Sequence, residues 1–167
     1  VQFRHCKMNP ISLDSKLPPG VTLQMNMYSL LEKSTEQKNT VNLIDINTVA
    51  KNGDLRDILA QKGYRLLHIS GYDRFEDFRE MSSSKLDILA GPAAKMASKD
   101  MEKNLGIPTV EGYVTYREQD IDAFYTRLSE ALSENLLPLT APYRDKARQK
   151  IAEAKAVIGD YPIAVDY

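Results

Sequence analysis

One cysteine, two histidines and no tryptophan leave this 167-residue chain few of the side chains on which metal and nucleophilic chemistry usually rest. A single cysteine excludes an internal disulfide and cannot alone build a cysteine-rich metal site. An excess of one charge is missing too: 22 Lys and Arg against 23 Asp and Glu give a net charge of -1. That balance provides no general attraction for nucleic acid or for an anionic membrane. No apolar run approaches the roughly 20 residues of a membrane span, and no signal-peptide core is present. A reducing, cytoplasmic setting is the expectation. No G-x-G-x-x-G follows the first predicted strand, and no G-x-x-x-x-G-K-S/T occurs anywhere, which argues against ordinary dinucleotide binding and P-loop hydrolysis. Neither histidine follows a nucleophile-elbow pattern, so no Ser-His-Asp arrangement can be argued.

What remains is an alternation of strand and helix. The hydrophobic fraction of 43% and the charged fraction of 27% fit a globular domain with a real core. Val41 to Asn47 is the first clear strand. After Asn52-Gly53, a helix carries Leu55, Ile58 and Leu59 on one stripe, and Gly63 closes it in a left-handed conformation. Tyr64 to Ile69 is the second strand, and Asp73 to Met81 a short helix. Leu86 to Ala90 is the third strand. Ala94, Ala97, Met101 and Leu105 then share one face of a helix capped by Gly106, and Ile107 to Val110 makes a short fourth strand near an edge. Such units require crossovers, and right-handed crossovers place helices on both sheet faces. The predicted class is therefore α/β: an open parallel sheet of about four strands, helices on both faces.

The flanks read differently. Residues 1–40 are irregular, punctuated by Pro10, Pro18, Pro19 and Gly20. Val21 to Met27 alternates like a half-buried strand, with a helix over Tyr28 to Lys33 as the alternative. Ser34 to Thr40 is a polar linker, which bounds the main domain at 41–134. A helix bearing Ile121, Phe124, Leu128 and Leu132 ends that domain. Residues 135–167 then give a connecting helix, with Ala147, Ile151, Ala154 and Ile158 as its buried stripe, and a final apolar strand. A lone terminal strand needs neighbours, so the chain is expected to be part of a larger polypeptide.

Open parallel sheets bind ligands beyond the carboxyl ends of their strands. Asn47, Ser70 and Gly91 fall there and form the candidate binding set, with ordinary turns as the plainer reading. His5-Cys6 is the one compact pair of soft ligand types, and Cys6 is the candidate metal ligand, whose thiolate suits iron or zinc. His68, inside the second strand, reads as packing or a local hydrogen bond. Glu76, Asp77 and Glu80 read as solvated. Tyr113 and Tyr116 are candidates for an inter-domain or subunit contact.

The order and content of these stretches resemble the component 1 family of nitrogenase-type oxidoreductases. The resemblance is carried by Val41-Asn42-Leu43-Ile44, by Asn52-Gly53-Asp54, by the run from Met96 to Pro108 after the third strand, and by the helices from Glu118 and Pro142. It implies a Rossmann-like α/β domain and a homologous subunit as partner. It further implies an iron-sulfur cluster near the pairing surface and electrons from an ATP-dependent iron-sulfur reductase. Members reduce dinitrogen or tetrapyrroles, and others act as cofactor-assembly scaffolds. In the nitrogenase α-type subunit the third strand leads to a cysteine that ligates the catalytic cofactor. Gly91 occupies the matching place here and has no ligand atom. The resemblance thus implies reduction without naming a substrate, and the fragment alone is expected to be inactive, any cluster being completed by other polypeptide.

Overall fold

The computed structural model describes residues 16–45 and 53–159. Its strands are β1 (Thr40–Ile44), β2 (Arg65–Leu67), β3 (Leu86–Leu89) and β4 (Thr109–Glu111). All pair in parallel, in the order β2-β1-β3-β4. The expected open parallel sheet is what the chain adopts, and the fourth strand does lie at an edge.

Side chains on a strand alternate between faces, so each strand feeds two cores. Val41 and Leu43 on β1, with Leu86 and Ile88 on β3, point to one face. There they meet Ile58 and Leu59 of α2 (Asp54–Gln61) and Tyr125, Leu128 and Leu132 of α5 (Glu118–Leu132). Ile44 and Leu89 point to the other face, against Tyr28 of α1 (Pro19–Tyr28), Phe78 of α3 (Phe75–Phe78), and Ala97, Met101 and Leu105 of α4 (Lys95–Leu105). Gly63 and Gly106, at φ 76° and 78°, supply the left-handed residues that close α2 and α4.

Two expectations are corrected. The alternating stretch Val21 to Met27 is not a strand; α1 runs from Pro19 to Tyr28. Pro19 suits a first helical turn because its missing N–H has no partner to lose there. Gln24 and Tyr28, four residues apart, are the two residues that α1 buries, while Asn26, which a strand would place on the same face, is not buried. The second correction concerns α6 (Ala141–Ile158). It forms as expected but buries none of its residues, and its apolar stripe is left uncovered, with Ile151 55% exposed. The terminal strand expected after it lies outside the described residues.

Candidate functional site

The strand order reverses at β1: β2 lies on one side, β3 and β4 on the other. Connections leaving the carboxyl ends of β1 and β3 therefore diverge, and the crevice between them is where sheets of this kind bind ligands. Asp45 follows β1 and Gly91 follows β3 at that point. A Cβ built on Gly91 would stand 2.8 Å from Asp45 Oδ1 and 3.2 Å from its Cγ. Gly91 has extended backbone at φ -145°, which any residue adopts. The bare Cα is therefore required by the carboxylate lying against it. The space left by the absent side chain is filled by Asp45.

His68 and Ser70 stand beyond β2. His68 is buried and Ser70 exposed. The Ser70 backbone N–H donates to His68 Nδ1 at 3.2 Å, and Ser70 Oγ lies 2.7 Å from the same nitrogen. Because Nδ1 accepts from the backbone, the ring proton belongs on Nε2 and the serine hydroxyl donates. Ser70 thus has its proton committed to the histidine and offers its oxygen as an acceptor at the surface. Burial lowers the His68 pKa below 6.5, against the opposing pull of Asp45, so the ring favours its neutral form. The local hydrogen bond expected of His68 is what it makes. Ile69 and Tyr72, flanking this turn, join Met27, Leu30, Phe75 and Phe78 around an apolar depression of about 240 Å³.

Beneath the crevice lies a polar seam. Asn42 Nδ2 donates to Asp87 Oδ1 at 2.8 Å and to the Met81 carbonyl at 2.9 Å. Ser84 Oγ donates to Asn42 Oδ1 at 2.8 Å and lies 2.8 Å from Thr40 Oγ1. Asp87 is fully buried, and its Oδ2 has no hydrogen-bond partner among the described residues. Burial pushes its pKa up to about 7, the Asn42 hydrogen bond opposes that shift, and Glu102 adds to it. Tyr28 is buried nearby. Burial, and then Asp87, Asp45 and Tyr72, hold its hydroxyl well above the usual phenol range. The carboxyl edge therefore carries a carboxylate at Asp45, a neutral imidazole at His68 and a hydroxyl acceptor at Ser70, while the Tyr28 phenol lies in the core beneath it and keeps its proton. These groups suit hydrogen bonding and positioning more than nucleophilic attack.

Of the residues singled out from sequence, Ser70 and Gly91 lie at the carboxyl edge, while Asn47 and Cys6 fall outside the described residues. Asp45 and Tyr28 were missed. Asp45 sits inside an apolar run that reads as strand, and a carboxylate at the last position before a turn was the available signal. No group of three or more His, Cys, Asp or Glu side chains converges among the described residues. The chain's single cysteine is not among them. The described residues thus do not by themselves fit an iron-sulfur cluster. None of the described helices is long and apolar enough to cross a membrane.

Fold and crevice together define an open α/β domain with a ligand-type edge at its switch point, which many chemistries can use. Residues 20–165 match the family described as nitrogenase component 1 type oxidoreductase. The chain belongs to that family. No curated protein matches it.

Proposed function

We propose that this chain is a domain of a nitrogenase-like reductase subunit that acts with an iron-sulfur electron donor. The family match over residues 20–165 carries the reading. The switch-point crevice supports it, because a hydrogen-bonding wall without its own nucleophile suits a domain that positions a redox partner's substrate. In this role Asp45 and Ser70 hold polar groups of a substrate or cofactor, with Asn47 as a further candidate from the sequence. Gly91 lets the Asp45 carboxylate reach the crevice floor. Cluster ligands come chiefly from a homologous subunit and other polypeptide, with Cys6 as this chain's candidate contribution. Electrons arrive from an ATP-dependent iron-sulfur reductase.

The test is anaerobic purification of the complete gene product with its partner subunit, followed by iron determination and EPR. Stoichiometric iron with an EPR-active reduced state supports the reading. Persistent absence of iron overturns it in favour of a second reading, a cofactor-assembly scaffold or interaction domain on the same fold. What favours that alternative is the uncovered apolar face of α6.

A further inference from the structure

A cavity of about 180 Å³ lies where the first turns of α2 and α5 meet the first half of α6. That is below the roughly 300–1,000 Å³ of drug-sized sites and suits a small head group. Ile121, Ala147 and Ile151 form the apolar part of its wall, and Tyr116, Tyr125 and Tyr143 contribute phenol rings. Neither Asp45 nor Gly91 lines this cavity, so its ligand need not be the reductase substrate.

The charged part of the wall decides what it holds. Arg144 Nε lies 3.1 Å from Glu118 Oε1, and the same guanidinium pairs with Asp122. Arg148 Nε donates to Glu118 Oε2 at 3.3 Å. Two guanidiniums and two carboxylates therefore offset one another. Asp54 is the charged wall residue that no ion pair among the described residues neutralises. Its Oδ2 accepts from Tyr125 Oη at 3.2 Å, which leaves the negative charge on the carboxylate. Burial, and then Asp54, hold the Tyr125 hydroxyl well above the usual phenol range, so it stays a donor. Asp57, one turn further along α2, accepts from Tyr143 Oη at 3.0 Å in the same way. Phenols that donate to carboxylates carry more electron density in their rings, and ring faces attract cations.

We infer that this cavity binds the quaternary ammonium head of a small molecule, with Asp54 as counter-ion and Tyr116, Tyr125 and Tyr143 as an aromatic wall. A primary ammonium brings three N–H donors that Ile121, Ala147 and Ile151 do not satisfy. A quaternary one brings methyl groups that these residues cover. An anion meets Asp54 directly and finds both guanidiniums already engaged.

The full chain is titrated with choline, with its uncharged isostere dimethylbutanol and with acetate, and binding is followed by amide shifts in NMR. Choline is expected to move the amides of Asp54, Ile121 and Ala147 and to bind about tenfold tighter than the isostere. Asp54→Asn should weaken choline by about tenfold and leave the isostere unchanged, with circular dichroism confirming the fold. Tyr116 is 97% exposed, so Tyr116→Leu removes a ring and leaves the core untouched. It should weaken choline by about threefold and again spare the isostere. Equal binding of choline and the isostere reduces the cavity to an apolar hole and overturns the inference. Tighter binding of acetate assigns the site to Arg144 and Arg148 and overturns it too. So does the absence of choline binding, or choline binding that leaves these three amides unmoved.

Discussion

Asn42 on β1 and Asp87 on β3 face each other in register and share a 2.8 Å hydrogen bond in a layer otherwise built from Ile44, Leu67 and Leu89. The amide satisfies one carboxyl oxygen and spends its second proton on the Met81 carbonyl, which ties the sheet to the turn after α3. A polar pair here costs desolvation and is tolerated because its members bond one another.

Removing the amide should therefore cost more than one hydrogen bond. Asn42→Ala leaves the Asp87 carboxyl, the Met81 carbonyl and the Ser84 hydroxyl without that partner. The expected loss is on the order of 2–4 kcal/mol, read from urea unfolding. A loss under about 0.5 kcal/mol would mean that the seam relaxes or takes up water.

Asp87 predicts a pH dependence with a definite sign. Its folded-state pKa is raised from 3.8 to about 7, so the folded chain binds this proton more tightly than the unfolded one. Over that window stability falls as pH rises, and it levels off above the folded pKa. At roughly 1.4 kcal/mol per unit the ceiling is about 4 kcal/mol, and partial relaxation reduces it. Asp87→Asn mimics the protonated carboxyl and should flatten this contribution. Urea midpoints at pH 5 and pH 8 for both proteins check it, and an unchanged slope in the variant would refute the assignment.

The close approach of Gly91 and Asp45 predicts coupling between them. Gly91→Ala pushes a methyl into the carboxylate and should cost about 1–2 kcal/mol. In an Asp45→Ala background the same substitution should be nearly free, so the double-mutant cycle is strongly non-additive. Gly112→Ala is the control. Its Cβ would meet Phe124 Cε2 at 2.5 Å and Ile88 Cγ2 at 2.9 Å, and Asp45→Ala should not rescue it.

Strand and helix periodicity made most of this fold legible before any coordinates. The stripes Leu55-Ile58-Leu59 and Ala94-Ala97-Met101-Leu105 fall where spacing put them, and Gly63 and Gly106 end their helices as their sequence positions require. Alternation misread Val21 to Met27, because a period of two over seven residues does not exclude a helix that buries only Gln24 and Tyr28. Periodicity reported the α6 stripe correctly but not its burial, since a seam spacing says which residues share a face and nothing about what covers it. The candidate site was legible only as an edge. Asp45 meets Gly91, and Asn42 meets Asp87, across two strands about 45 residues apart, and no local pattern records a contact at that separation.

His68 should titrate in the direction opposite to a solvent-exposed histidine gaining a partner. Burial lowers its folded pKa below 6.5, so the unfolded chain binds the proton more tightly as pH falls. This contribution to stability is complete above about pH 6.5 and is lost as pH drops toward the folded pKa. It opposes Asp87 in the same range. NMR of the ring proton should give a midpoint under 6.5. Ser70→Ala removes a donor to the neutral ring's Nδ1 and should move that midpoint upward. A midpoint at or above 6.5 in the intact protein would contradict the burial account.

The anchoring of α6 predicts a helix that can loosen without unfolding the domain. Arg144 holds it through Glu118 and Asp122, Arg148 pairs with Glu118 as well, and these contacts are partly exposed. Replacing Arg144 and Arg148 with Ala and Tyr143 with Phe should lower the stability read from urea unfolding by only about 1–2 kcal/mol, because exposed ion pairs contribute little. Amide exchange over residues 145–158 should quicken severalfold, while Leu128 and Leu132 in α5 stay as protected as before. The reason is that α6 buries none of its residues, so its opening is local and need not wait for the core to open. If exchange in α5 accelerated in parallel, α6 would belong to the same cooperative unit as the sheet, and its free face would be part of the domain's own stability.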